Sequence, residues 1–419
     1  MTHKTVREWG RVPVGDDGFT RAEANALLAA ARAHRMSGPE GSDILRDHYR
    51  HLTAQQAVGV IAAPGCSLEI LPKIDPEGSE ENAGTVRARL VHMLDVALGL
   101  DLSSGETTAM AHGAESLLDI FIALFADRLL SEARRGLPQQ YRAREEDLGA
   151  LRGKLDVVRQ FTALAVRPDR LACRFDALDP DVALMQVMKA CVVFLARHAR
   201  ASGTQRKLAE LRFLLSDVTD VPLRLLPWNS VRIDRTSQRW RALLSLARLL
   251  LGKRWQQTHA DAQAPDGLTL LFPMNDLFER YVAVQLRRAL ADTDLEVVLQ
   301  GGGEHALGEW IEGKVCAGSS YPTRPDILIR LAGRVAMVID TKWKNPNMGI
   351  GQSDIYQMMA YARLYRCEHL VLLYPTVSTE LPPYSQGLSG GTERLDIASV
   401  PLGKSEKHVI DSLRGLIAL

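Results

Sequence analysis

Hydrophobic and polar positions along this 419-residue chain change period several times, and each change predicts a different kind of element. VREWGRVPV, near the start, mixes apolar and polar residues in the manner of a strand. A helix is expected at 20–35, and VGVIAAPGCSLEILPKI (58–74) reads as a hairpin turning at Pro64 and Gly65. The run PEGSEENAG (76–84) is a connector. Beyond it the period becomes helical over about 85–135, where Leu117, Leu118, Phe121, Leu124, Phe125 and Leu129 share a broad apolar face that ends at Gly136. That face is core. From 137 to 176 the helical period weakens and charged residues alternate with apolar ones, which predicts extended segments joined by loops, with Arg152, Gly153 and Lys154 at a turn. Helices follow at 181–200, 204–216 and 237–252. The last has Arg239, Arg241, Arg248, Lys253 and Arg254 around its apolar face and Trp240 and Trp255 nearby. Such arginines mostly solvate a helix surface, and contact with a phosphate backbone is the lesser reading. Polar WQQTHADAQAPDG (255–267), with its Pro-Asp-Gly turn, marks a boundary.

FPMNDLFERYVAVQLRRAL (272–290) predicts a helix starting after Pro273, with Asn275 as its N-cap. Glu279 lies in line with Val282, Ala283, Leu286 and Leu290, at the end of an apolar stripe. A carboxylate there is costly unless something binds it, and an edge glutamate reaching back to water is the equal alternative. RPDILIRLAGRVAMVIDTKWK (324–344) has the form of a hairpin turning at Ala332, Gly333 and Arg334. A register symmetric about Gly333 faces Leu331 to Val335 and Asp326 to Asp340, with Lys342 on the same face as Asp340 and with Thr341 and Trp343 on the other. Opposed like charges destabilise a sheet, so the pair needs a cation between them or a raised pKa on one of them. Oxygen ligands without histidine or cysteine suit Mg²⁺, and an ammonium beside the ion can position a water or stabilise charge on a phosphate. Downstream, SDIYQMMAYARLYR (353–366) predicts a helix capped by Ser353 with Gln357, Tyr361 and Tyr365 at intervals of four, followed by the strands HLVLLYP and LDIASVPL.

Length allows two or three domains, and 46% hydrophobic with 24% charged residues is ordinary for a globular protein. Cys66, Cys173, Cys191, Cys316 and Cys367 have no paired spacing, which speaks for a reducing, cytoplasmic setting over disulfides or zinc. No apolar stretch is long enough to span a membrane. A formal charge of +1 means that DNA affinity must come from local patches or from a partner. No phosphate loop is present: Ala398 stands where Gly403, Lys404 and Ser405 would need a glycine before them, and Gly149 and Gly153 are wrongly spaced before Lys154.

Pro325, Asp326, Asp340 and Lys342 together resemble the PD-(D/E)xK nuclease superfamily, in which a helix before the core strands often supplies a further acid; Glu279 is the matching position. On a longer scale the chain resembles the McrC family. The likeness is carried by EWG (8–10), VGVI with LEILPKI (58–74), RRGL (134–137) with LRGKLDVVRQ, ACRFDAL (172–178), FPMNDLFERYV, and RPDI with IDTKWK. The resemblance implies a multidomain α+β chain: a small β-containing module (1–80), a mainly helical middle (81–260) with a β-like projection at 137–176, and a C-terminal α/β PD-(D/E)xK restriction-endonuclease-like domain (266–419). It implies a Mg²⁺-dependent endonuclease subunit of a modification-dependent (5-methylcytosine) restriction system. The ion is held by Asp326, Asp340 and the Thr341 backbone carbonyl, with Glu279 as a further ligand or base; Lys342 orients the water, and Gln357 and Tyr361 support the site. The implied partners are an McrB-like AAA+ GTPase hexamer, which binds the GTP and is stimulated by this chain, and double-stranded methylated DNA, with dimerisation of the nuclease subunits as a route to double-strand cleavage. Arg152 and Lys154 are the candidate contacts to the ring. Val182, Ala183 and Leu184 follow ACRFDALDPD where the family has a polar residue. The rival expectations are an activator of an AAA+ ring with an idle nuclease fold, and a stand-alone repair nuclease.

Overall fold

The computed structural model describes residues 2–32, 34, 44–73, 81–102, 116–251, 268–308, 310, 311, 314, 315, 320–345, 349–377 and 382–417. The boundary expected at 255–267, together with Lys253, Arg254, Cys316 and residues 76–80 of the expected connector, lies outside them. The chain is a mixed α/β protein of several sheets. It forms two compact units, Met1–Leu117 with Arg254–Leu419, and Leu118–Lys253.

In the first unit the 58–74 hairpin is present as Ala57–Ala63 and Cys66–Leu71, with Gly65 at φ 79° in the turn. Every residue of both strands is buried. They are the middle of a four-stranded sheet, flanked by Thr2–Arg7 on one side and Leu268–Pro273 on the other. Gly59 allows this packing, since a Cβ there would fall 1.9 Å from the carbonyl oxygen of Leu270. Glu69 is fully buried in the sheet, and the burial is tolerated because its carboxylate is saturated: it receives Arg87 Nη2 (2.7 Å), Thr5 Oγ1 (2.9 Å) and the Leu117 backbone N–H (2.7 Å). Leu268–Pro273 runs directly into the helix Met274–Ala289, so the helix that carries Glu279 is hung from the N-terminal sheet. Asn275 is not the N-cap of this helix. Met274 opens it after Pro273 without a side-chain cap, and Asn275 lies in the first turn, accepting from Gln56 at 3.4 Å.

A six-stranded sheet completes this unit in the order Leu295–Leu299, Ile327–Leu331, Arg334–Thr341, His369–Thr376, Arg394–Pro401, Tyr384–Gly387. The helix Gln352–Tyr365 bridges the parallel strands Arg334–Thr341 and His369–Thr376, and packs Met358, Tyr361 and Ala362 against Leu328, Val338, Leu370 and Leu372. This helix begins one residue before Ser353, following Gly351 and with no side-chain cap. The hairpin turn is tighter than the expected symmetric one: Leu331 pairs with Arg334, not Val335, across Ala332 and Gly333, whose φ values of 49° and 82° suit a two-residue turn. A bulge then skips Ala336, so that Ile329 pairs with Met337 and Ile327 with Ile339. Continued one step, this register brings Asp326 level with Asp340. The bulge cancels the shift made by the turn.

The second unit contains a three-stranded antiparallel sheet of Gln140–Leu148, Leu171–Asp179 and Lys154–Leu155, with Gly153 at φ 70°. The segment is not extended throughout: a short helix, Val157–Thr162, interrupts it, capped by Asp156 Oδ1 accepting from the Arg159 N–H at 3.1 Å. Helices Ala183–Leu195, Ser202–Leu214 and Arg241–Leu251 follow. Trp240 is fully buried, so its indole packs in the core and does not face a phosphate backbone. Cys66, Cys173, Cys191 and Cys367 are buried free thiols. Among the described residues, no helix is long and apolar enough to cross a membrane.

Candidate active site

The hairpin and the helix after it assemble the site. Asp326 precedes the strand Ile327–Leu331 and its Oδ2 accepts two bonds from Thr341, one from the backbone N–H and one from the hydroxyl, both at 2.8 Å. The Thr341 hydroxyl is thus turned toward Asp326, contrary to simple strand alternation, because the acid caps the strand where its ladder ends. Asp340 is buried to 1% exposure, and its Oδ2 lies 2.7 Å from Lys342 Nζ at an angle outside hydrogen-bond geometry. Lys342 donates to Gln357 Oε1 at 3.0 Å and lies 3.6 Å from Asp354. The bonding continues from Gln357 Nε2 to Tyr361 Oη (2.8 Å) and from Tyr361 to the Arg324 carbonyl (3.3 Å), so the helix clamps the segment that enters Asp326.

Glu279, from the helix Met274–Ala289, is buried and meets the electrostatic field of Asp326, and its Oε1 has no hydrogen-bond partner. Burial, with Asp326 adding to it, pushes the Glu279 carboxyl up to about 7. Burial and Asp326 likewise raise Asp340 to about 6 against the pull of Lys342. Asp326 is also raised, by burial, with the Thr341 bonds and Lys342 opposing. For Lys342 burial works to lower the pKa, yet Asp340, Asp354 and Asp326 more than offset it, and the ammonium is held charged.

The structure therefore brings Asp326, Asp340, Thr341, Lys342, Gln357 and Tyr361 together with Glu279 at their edge. Arg152 and Lys154 are exposed in the second unit, where Arg152 stacks on the Phe175 ring at 4.2 Å. Sequence reasoning missed Asp354, which is 5% exposed and pairs with Lys344 at 3.1 Å; it lies three residues before Gln357, a spacing that puts both on one helix face. It also missed Gln300, whose backbone N–H donates to the Asp326 carbonyl at 2.8 Å. Beside Gln300 a cavity of about 230 Å³ is lined by Arg280, Val284, Arg287 and Leu299.

Among the described residues no three His, Cys, Asp or Glu side chains form a ready-made metal cage. A hard cation that keeps several waters needs only one or two carboxylates. Asp326 and Asp340 fit that requirement. An unpartnered buried oxygen on Glu279 and the raised carboxyls of Glu279, Asp326 and Asp340 mark a site short of positive charge.

Residues 52–375, more than half of the chain, match the sequence profile of the McrBC 5-methylcytosine restriction system component. The chain belongs to that family. This McrBC component is similar in fold to a chain of the refined half-complex from a tetradecameric assembly of Thermococcus gammatolerans McrB AAA+ hexamers with bound McrC. The TM-score is 0.77 at 21% identity, covering 99% of this chain and 100% of that one. It is also similar to a chain of the Thermococcus gammatolerans McrBC complex seen by cryo-EM, at TM-score 0.57 and 24% identity over 69% of this chain and 88% of that one. No curated protein sequence matches this McrBC component.

Proposed function

We propose that this McrBC component is the DNA-cutting subunit of a modification-dependent restriction complex, with a PD-(D/E)xK-type site that hydrolyses phosphodiesters using Mg²⁺. The observation that carries the reading is Asp326 at the start of one strand and Asp340 on the adjoining one, both with raised carboxyls, beside a charged, hydrogen-bonded Lys342. Asp326, Asp340 and the Thr341 carbonyl would hold the ion, with Glu279 as a further ligand or base. Bound Mg²⁺ supplies Lewis-acid polarisation of the phosphoryl oxygens. Lys342, aimed by Asp340 and Gln357, orients the attacking water and offsets the charge that develops on phosphorus. Tyr361 keeps Gln357 in place, and Glu279, with its carboxyl near neutrality, is suited to take a proton from that water. The test is cleavage of methylated against unmethylated duplex with this chain, an AAA+ partner, GTP and Mg²⁺. Cutting is expected only of the methylated duplex and only with all components. A chain that never cuts while still raising GTP hydrolysis would leave the activator role alone.

The arginine-lined cavity beside Gln300 supports a phosphate-bearing substrate. Exchanging Arg280 and Arg287 together for Gln is expected to weaken duplex binding by an Asp340→Asn background and to flatten the dependence of log K on log salt by about 2, since each neutralised phosphate contributes about 0.9. Fluorescence anisotropy across a salt series reads both.

The partner surface is assigned to the second unit. Val158 and Phe161 on its short helix are each 75% exposed and Val166 in the turn that follows is 88% exposed, close in sequence to Arg152 and Lys154. Apolar side chains displayed in this way fit a protein partner, and an AAA+ hexamer is the partner of the similar solved complex. Arg152→Glu with Lys154→Glu is expected to reduce stimulation of the partner's GTP hydrolysis at least about tenfold, whereas Asp340→Asn leaves it unchanged; a steady-state GTPase assay distinguishes them.

A further inference from the structure

The EWG opening is not used by the chemistry above, yet it reaches the site. Glu8 follows the strand Thr2–Arg7 in a tight turn, with Trp9 at φ 64° and Gly10 donating to the Arg7 carbonyl at 2.9 Å. Only glycine fits the third position, because a Cβ would sit 2.6 Å from Val6 Cγ2 and 2.8 Å from the Arg7 oxygen. The turn directs Glu8 inward to 2% exposure, while Trp9 is left 57% exposed. There Glu8 Oε2 accepts the indole N–H of Trp343 at 3.1 Å and the backbone N–H of Lys73 at 3.0 Å. Its Oε1 has no hydrogen-bond partner, and burial pushes the carboxyl up to about 7. A buried carboxylate with one unsatisfied oxygen costs stability, so what it holds is of consequence.

Trp343 follows Lys342 directly, at the point where the strand Arg334–Thr341 leaves the sheet. Lys342 makes a last backbone bond to Leu373 at 2.9 Å, and Lys344 folds back onto the Lys342 carbonyl at 2.9 Å. The indole is 7% exposed and meets the ring of Phe278 edge-on, with centroids 5.5 Å apart. Phe278 precedes Glu279. One indole therefore touches the exit of the strand that bears Asp340 and Lys342, the helix that bears Glu279, and the N-terminal turn.

We infer that Glu8 is a positioning residue for the proposed nuclease: by holding the Trp343 indole it fixes Lys342 and the Phe278–Glu279 helix relative to each other. This rests on the nuclease reading of the site. Glu8 touches no reacting atom and reaches the site through Trp343. Without the anchor the indole can rotate on Phe278, the peptide after Lys342 loosens, and the ammonium loses its placement between Asp340 and Gln357. Displacements of about 1 Å at a catalytic group cost on the order of 100-fold in rate.

Trp343→Phe keeps an aromatic ring beside Phe278 and removes the N–H together with the pyrrole half of the buried indole. Its kcat for DNA cleavage in the complete complex is expected to fall 10- to 100-fold, with KM and stimulation of the partner's GTP hydrolysis unchanged. Glu8→Ala, which also gives up the bond from the Lys73 N–H, should fall at least as far, and the double variant Glu8→Ala/Trp343→Phe no further than the worse single one, because both remove the Glu8–Trp343 contact. Glu8→Gln retains a carbonyl acceptor and is expected to restore the rate. A merely structural Glu8 would give losses that multiply in the double variant and fall equally on GTPase stimulation. Either that pattern, or wild-type cutting by Trp343→Phe, overturns the proposal; Trp343→Phe remains decisive even where Glu8→Ala does not fold. Asp340→Asn, run beside them, separates the two readings. If it still cuts, the site assignment fails. If it is dead while Trp343→Phe is unimpaired, only the anchor fails.

Discussion

Asp340→Asn is expected to abolish DNA cleavage, by at least about 10³-fold, and at the same time to raise the melting temperature above pH 7. The two outcomes have one cause. Asp340 is 1% exposed, and burial with the neighbouring Asp326 lifts its carboxyl from 3.8 to about 6. An acid whose pKa is raised on folding stabilises the fold only while protonated, below its unfolded value. That contribution disappears as pH rises through about 4 to 6. Above this window the folded chain carries a charge it would hold more easily unfolded, at a cost of roughly 1–3 kcal/mol given 1.4 kcal/mol per pKa unit. Asparagine has the same shape without the charge, and Lys342 keeps Gln357 at 3.0 Å and Asp354 at 3.6 Å. Thermal melts of both proteins from about pH 4 to 8, with cleavage measured alongside, check this. The wild type should converge with the variant at the acid end. A variant that is both inactive and less stable at pH 8 would mean that Asp340 is structural.

Adding Mg²⁺ is expected to raise the melting temperature of the wild-type chain at about pH 8, with the rise shrinking to nothing near pH 5. The sign follows from the same carboxyls. Asp340 is raised to about 6 and Glu279 to about 7, so lowering the pH protonates them and removes the negative charge that a cation would neutralise. Binding to the folded state stabilises by mass action, about 2.7 kcal/mol at a hundredfold excess over Kd. The rise should be lost in Asp340→Asn, and Ca²⁺ should reproduce the shift without supporting cleavage. Differential scanning calorimetry with and without ion at both pH values reads it. Groups lowered on folding, such as Asp396 beside Arg394 and His369, impose an opposite slope on stability, so the comparison with Asp340→Asn is what isolates the site.

Much of the fold was legible because its elements are local. The 58–74 segment carries its own turn at Gly65, and the Arg334–Thr341 strand follows its partner after only Ala332 and Gly333. Periodicity did not reveal the bulge at Ala336, since skipping one residue leaves the apolar pattern of each arm unchanged while shifting its pairing. It missed the helix Val157–Thr162, which is too short to show a period and is set by its Asp156 cap. It also turned Thr341 away from the site, because alternation describes a strand interior and Thr341 ends the ladder against Asp326.

The sequence by itself determined which residues could face one another across the hairpin, because a strand, a two-residue turn and a strand leave few registers that bury both apolar arms. Tertiary structure alone decided what surrounds that pair. Glu279 arrives on a helix hung from the strand Leu268–Pro273, which pairs with residues some two hundred positions earlier, Ala57–Ala63. Glu8 meets Trp343 across 335 positions of chain. Such contacts leave no period in the sequence. They depend on how buried faces stack, and stacking is set by shape and by the satisfaction of buried polar groups over the whole unit.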